Sequence, residues 1–130
     1  MLKYVSLAII LTLLFCEAAS AEWMKVGGTH KYDGFLDMVT IAPTGHRVTV
    51  WTLKDFKVDR HILSGTYRST TIKKQFDCRA HKSRPLSANY YAAQMGKGRH
   101  LHSGKATREW SRVIPGSDGE TEMKIDCQKV

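Results

Sequence analysis

The chain has 130 residues, of which 42% are hydrophobic and 25% are charged, and its formal net charge is +8. This length leaves room for one domain behind a leader and argues against a multidomain protein. The positive charge is typical of proteins that meet polyanions, and it is equally typical of an exported protein that charge keeps soluble.

The first 21 residues predict a secretory signal peptide. Lys3 precedes an apolar run that ends at Phe15, and Ala19-Ser20-Ala21 matches a cleavage site. The run is too short for a membrane-spanning helix, so the mature chain should have no transmembrane segment. Phe15 is too bulky for the position before a lipidated cysteine, which disfavours Cys16 as a lipid acceptor. We expect one exported domain over residues 22–130, in the periplasm or on the outer cell surface.

Short segments of strand-like alternation, separated by Gly and Pro turns, fill most of this domain. The predicted strands cover residues 22–26, 30–33, 36–41, 46–58, 66–78, 86–95 and 99–103. Residues 59–64 are expected to form a connection. The strand at 46–58 is apolar on both faces near its middle, which indicates a central position. Lys74 interrupts the apolar face of the strand at 66–78, which predicts an edge position or a snorkelling side chain.

The C-terminal segment has the pattern of a helix. Ser117 and Glu120 have the spacing of a capping box, and Met123, Cys127 and Val130 recur at helical intervals on one stripe. Several antiparallel strands followed by one helix predict an α+β fold.

Two of the three cysteines, Cys78 and Cys127, belong to the exported domain. Cysteines of exported proteins usually pair, and their wide spacing gives no C-x-x-C motif. The predicted disulfide would tether the C-terminal helix to the strand at 66–78. It would close a loop of about 50 residues, which stabilises the fold by about 4 kcal/mol in the chain-entropy model.

Acidic residues are absent between Cys78 and Arg108. We expect a basic binding face there, although lysine and arginine could equally serve to keep an edge strand soluble. The basic residues of this span are Arg79, Lys82, Arg84, Lys97, Arg99, Lys105 and Arg108. Nucleic acid is not an expected partner of an exported protein.

His100 and His102 are two residues apart, which places both imidazoles on one face of a regular strand. With a third group, such as His81 or Met95, the pair could hold a metal ion or ligate haem iron, whereas exposed histidines without a ligand are commoner. We expect no metal site and no cofactor, with haem left open. Histidines side by side would not flank a phosphate, and G-x-S-x-G, H-E-x-x-H and P-loop motifs are absent, so we expect no catalysis.

Several motifs resemble the bacterial surface-adhesin protein E family. They are EWMKV at 22–26, Tyr32-Asp33, VWTLKDF at 50–56, YRS at 67–69, QFDC at 75–78, Tyr90 through MGKG at 95–98, Trp110, VIPGS at 113–117 and Cys127. The resemblance implies a small antiparallel sheet with a C-terminal helix held by a bridge between the two cysteines. It also implies attachment to matrix and serum proteins such as vitronectin, laminin and plasminogen, and it allows haem binding.

We therefore interpret the chain as an exported, non-catalytic, adhesin-like domain that attaches to host or surface macromolecules through a basic face. The partner would be an extracellular matrix or serum protein, or an acidic glycan, and an exposed edge strand would permit a homodimer. The alternative is a periplasmic envelope protein with a structural or a haem- or metal-handling role.

Overall fold

The computed structural model describes residues 21–130. The predicted signal peptide and Cys16 lie outside the described residues, except for Ala21 at the end of the leader. Within the described part of the chain, no helix is long and apolar enough to cross a membrane.

One antiparallel sheet of eight strands contains more than half of the described residues, in the order β1-β2-β4-β5-β6-β7. Two short strands pair at its side, β3 with β4 and β8 with β6. The strands are β1 (Trp23–Gly28), β2 (Tyr32–Asp37), β3 (Ala42–Thr44), β4 (Arg47–Ile62), β5 (Gly65–Asp77), β6 (Lys82–Tyr91), β7 (His100–Lys105) and β8 (Ser111–Arg112). The sheet dominates the fold, so α+β describes it only loosely.

The two longest strands, β4 and β5, form a hairpin at the centre of the sheet. Their pairing shifts between Asp55 and Arg60, where β4 carries extra residues opposite β5. The Arg68 side chain holds this bulge, because its Nε donates to the Phe56 carbonyl at 3.2 Å. β4 resumes after the bulge and reaches Ile62, so the connection predicted over 59–64 is in large part strand.

Other strand boundaries differ from the predicted ones for local reasons. The two segments at 30–33 and 36–41 are a single strand, β2, followed by a 3-10 turn over Met38–Thr40 that the Asp37 side chain caps. β6 begins at Lys82, before Pro85, because a register shift between Lys73 and Lys74 of β5 accommodates the missing N–H.

The one α-helix among residues 21–130, α1, spans Asp118–Asp126. Ser117 caps it by accepting a hydrogen bond from the Glu120 N–H, as the capping-box spacing predicted. Met123 is buried as predicted, and Cys127 ends the helix. Val130 is 52% exposed, so its predicted place on the buried stripe is wrong. The chain leaves helical register after Cys127, and Asp126 is the residue that becomes fully buried.

A Cys78–Cys127 disulfide joins the end of β5 to the end of α1, with Cα atoms 5.8 Å apart. The core lies between this helix and the sheet. Its buried members are Leu36, Val48, Val50, Phe76, Val113 and Met123. The predicted tether is therefore confirmed, and it closes the edge of the same apolar cluster.

Candidate binding face

The sheet has one face covered by α1 and one face that the helix leaves open. Cross-strand partners share a face, so the pairs Trp51–Lys73, Lys73–Ser87 and Ser87–Lys105 form one row across four strands of the open face. The aligned partners are about 4.8 Å apart across each pair of strands. Lys73 and Lys105 thus lie about 10 Å apart on the same side of the sheet.

The connection between β6 and β7 folds over one end of the open face. Ser69 Oγ donates to the Ala93 carbonyl at 2.6 Å and accepts from the Gly96 N–H at 2.9 Å. Asp55 accepts from the Met95 N–H at 2.9 Å, which anchors the same turn. These bonds explain why a serine on a central strand is completely buried. The turn leaves the rest of the open face uncovered.

An aromatic groove lies beside this turn. We use this name for the cavity of about 250 Å³ lined by Trp23, Asp37, Trp51, Thr71, Asn89 and Tyr91. Asn89 is held in place, because its Oδ1 accepts from Ser103 Oγ at 2.9 Å and lies 3.1 Å from His100 Nε2. Asp37 Oδ1 accepts from the backbone N–H groups of Glu22 and Val39.

A second tryptophan site lies at the opposite end of the open face. The Arg84 guanidinium is 4.5 Å from the ring centre of Trp110, and the Arg47 guanidinium is 5.1 Å from it. The Gln75 side chain further orients Arg84 by accepting from its Nε at 2.9 Å. Cation–π contacts of this kind hold guanidinium groups in place while leaving their N–H edges available. We call Arg47, Lys73, Arg84 and Lys105 the basic strip.

The carboxylate next to the basic strip, that of Asp77, already has hydrogen-bond and ion-pair partners. Backbone hydrogen bonds from Ala80 and Arg79, with the charges of His46 and Arg47 nearby, hold the pKa of Asp77 below its usual value. Asp77 therefore stays ionised at neutral pH, and it lies within 4.0 Å of the Arg47 guanidinium and 3.5 Å of the His46 ring. The cations of Lys73, Arg84 and Lys105 remain to give the open face its positive potential.

The seven predicted basic residues do not form one patch. Lys97 and Arg99 follow the far end of β6, whereas Arg79, Lys82 and Arg84 lie before it or at its near end. Lys105 ends β7 opposite Ser87 in the middle of β6, and Arg108 follows β7. A ten-residue strand is about 33 Å long, so Lys97 and Arg99 lie at the opposite end of β6 from Arg79, Lys82 and Arg84. Sequence reasoning missed Arg47 and Lys73, which only the register of β4 with β5 brings beside Arg84 and Lys105.

The expected pairing of His100 with His102 on one face is wrong. β7 has a register shift between the partners of Tyr90 and Tyr91, so His100 lies beside Tyr91 and His102 beside Tyr90. Adjacent tyrosines point to opposite faces, and the ring distances of 5.4 Å and 5.9 Å confirm this arrangement. His100 faces the open side, and His102 faces the side of α1.

The two other residues considered with this pair are also separated from it. His81 precedes β6 at the near end of the sheet, and Met95 lies in the turn over the open face. In residues 21–130, no three His, Cys, Asp or Glu side chains are grouped so that they could hold a metal ion.

A polar cluster lies beneath α1 on the covered face. Lys74 Nζ contacts Glu122 Oε2 at 2.8 Å, and both side chains are largely buried. Lys74 is on a central strand, so the predicted edge position is wrong; the helix carboxylate is what allows a lysine there. Asp126 is completely buried, and neither carboxylate oxygen has a hydrogen-bond partner within the described chain. Burial, together with the charge of Glu122, raises the pKa of Asp126 to about 7.

Residues 23–128 match the profile of the surface-adhesin protein E family. The chain belongs to this family. The motif resemblance noted in the sequence is thereby confirmed over nearly the whole described domain.

Solved structures of protein E from Haemophilus influenzae have the same fold. One has a TM-score of 0.65 at 14% identity and covers 82% of this chain and 94% of its own. A second crystal form gives a TM-score of 0.60 at 14% identity, covering 85% and 98%. Protein E from a non-typeable strain gives 0.62 at 13% identity, covering 84% and 86%. A comparison with curated proteins gave no match.

Membership of the surface-adhesin protein E family makes this chain an adhesin-like surface protein. At 13–14% identity the solved relatives share the fold alone with it.

Proposed function

We propose that this adhesin-like protein attaches to an acidic macromolecule through the basic strip on its open sheet face, and that it acts by binding alone. The observation that carries the proposal is the alignment of Lys73 and Lys105 in one row, beside an Arg84 that Trp110 and Gln75 hold in place. The partner is an extracellular matrix or serum protein, or an acidic glycan.

Preorganisation supports this assignment over simple solubility. Surface lysines that only keep a protein soluble need no fixed geometry, whereas Arg84 has both an aromatic contact and a side-chain acceptor. Charges of one sign on one face raise the local concentration of an oppositely charged partner and accelerate its association.

A pair of matched charge reversals tests the proposal. Lys73→Glu/Lys105→Glu reverses two charges of the basic strip, and Lys97→Glu/Arg99→Glu reverses two charges at the far end of the sheet. Each variant lowers the net charge by four units. We expect the first variant to bind plates coated with vitronectin or laminin at least tenfold more weakly, and the second to bind within about threefold of the parent chain. Equal losses in both variants would show that net charge alone drives attachment.

Salt gives an independent check of the same proposal. Exposed charges are screened within roughly 4–5 Å at 0.5 M salt, so attachment should fall steeply between 0.05 and 0.5 M. Attachment that is unchanged over this range would refute the electrostatic mechanism.

Location separates the proposal from its alternative. Protease treatment of intact cells should remove the protein if it is on the outer surface, as adhesion requires. Protection from the protease would favour a periplasmic envelope protein with a structural or a haem- or metal-handling role. Haem addition to the purified domain would then be the informative assay, with a Soret shift that disappears in His100→Ala or His102→Ala.

A further inference from the structure

We propose that the aromatic groove holds one uncharged sugar ring of an acidic polysaccharide in which uncharged and carboxylated rings alternate. This inference deepens the proposed function and rests on it, because the basic strip supplies the charge that recognises the neighbouring carboxylated ring.

The lining of the groove matches the two kinds of surface on a pyranose ring. Trp23, Trp51 and Tyr91 offer aromatic faces, against which the C–H face of a sugar packs. The Asp37 carboxylate offers an acceptor for hydroxyls at the edge of the ring. The Asn89 amide already bonds Ser103 and His100 through Oδ1 and donates to Thr71 Oγ1 at 3.4 Å, which leaves one N–H of Nδ2 for the ring. Asp37 is only 6% exposed, and its hydrogen bonds in the described chain go to Oδ1, which leaves Oδ2 as an acceptor for a hydroxyl.

The size of the groove points to one unit of a longer chain. A volume of about 250 Å³ is below the 300–1,000 Å³ typical of sites for drug-sized molecules. A single ring fits, and the open face allows the chain to continue on either side.

The charges around the groove select an alternating chain. The Asp37 carboxylate in the lining disfavours an anionic ring inside the groove. Lys73 is the direct cross-strand partner of Trp51, so its side chain leaves the open face beside a residue of the groove, where its charge suits a carboxylate on the following ring. Ser87 and Lys105 extend the same row further along the open face.

Three oligomeric probes distinguish sugar recognition from charge recognition. The hyaluronan hexasaccharide has alternating carboxylated and uncharged rings, polyglutamate has carboxylates without rings, and dextran has rings without charge. We expect the hexasaccharide to quench the tryptophan fluorescence of the disulfide-bonded domain. Calorimetry on the same domain should show that the hexasaccharide binds at least tenfold more tightly than polyglutamate or dextran.

Adjacent tyrosines supply matched variants. Tyr91 lines the groove, whereas Tyr90 packs on the covered face against Tyr67 at 5.0 Å. Tyr91→Ala should weaken hexasaccharide binding at least fivefold and Tyr90→Ala should leave it unchanged. Trp51→Ala should weaken hexasaccharide binding at least tenfold. If Trp51→Ala does not fold, Trp51→Phe replaces it in the test: it keeps an aromatic ring and should retain most of the affinity of the parent chain.

Each outcome decides a different part of the argument. Equal binding of polyglutamate and the hexasaccharide, unaffected by Tyr91→Ala, would overturn the sugar site and leave the electrostatic attachment standing. Binding of dextran as tightly as the hexasaccharide would overturn the alternating-chain assignment. If the hexasaccharide does not bind but attachment to matrix proteins still depends on the basic strip, this inference alone is overturned. If the hexasaccharide does not bind and attachment to matrix proteins does not depend on the basic strip, the proposed function is overturned as well.

Discussion

The buried Asp126 carboxyl should make the stability of the fold depend on pH. Its side chain is completely buried, and its pKa rises from the ordinary value of 3.8 to about 7. Between these values the folded chain holds a proton that the unfolded chain has released, so the free energy of unfolding falls as pH rises. The stabilisation is complete below pH 3.8 and is lost by the time pH passes 7, and the total loss is about 4 kcal/mol.

The variant Asp126→Asn isolates this contribution, because its amide has the same shape and does not titrate. We expect the variant to match the parent chain within about 1 kcal/mol at pH 4, where both side chains are neutral. At pH 8 the variant should be more stable by about 3 to 4 kcal/mol. Urea unfolding at pH 4, 6 and 8, with the disulfide intact, measures the difference directly.

A surface carboxylate provides the control. Asp59 is 62% exposed and pairs with Arg68 at 3.3 Å, so Asp59→Asn should change stability by less than about 1 kcal/mol at each pH. Other titrating groups affect the parent chain and both variants alike and cancel in the comparison. A stability difference between the parent and Asp126→Asn that is the same at pH 4 and pH 8 would refute the reasoning.

Three further experiments test the attachment of α1. Lys74→Met leaves Glu122 buried without its cation and should lower the free energy of unfolding in urea by about 3 kcal/mol. Lys74→Met/Glu122→Leu should recover most of that loss. If it does not, packing and not charge determines the stability at this site. Cys78→Ser/Cys127→Ser should lose about 4 kcal/mol, and a loss below about 1 kcal/mol would contradict the role of loop closure. Ser117→Ala removes the helix cap and should cost about 1 kcal/mol, with Ser111→Ala on exposed β8 as a neutral control.

Local patterns in the sequence predicted the elements whose cause is local. The capping box located the start of α1, and export predicted the disulfide that ties the helix to β5. Strand alternation located β4 and β5, but not the bulge near Asp55 or the shift at Lys73, because cross-strand pairing decides both. Lys74 looked like an edge residue since its partner, Glu122, lies 48 residues further along the chain.

The binding face depended even more on pairing. The acid-free span indicated a basic surface, yet its members are distributed along the whole length of β6. The register adds Arg47 and Lys73 from strands outside that span. The aromatic groove collects side chains from β1, β2, β4, β5 and β6, with no sequence motif in common. Its members could be found only once the strand order was known.

The register shift in β7 turns two neighbouring histidines into independent reporters. His100 shares hydrogen bonds with Asn89 and Ser103 on the open face, and His102 packs on Tyr90 on the other. In an NMR titration, a molecule that docks in the groove would move the imidazole resonances of His100 and leave those of His102 at rest. Comparing the two imidazole signals therefore shows on which face of the sheet a molecule has bound, without an added label.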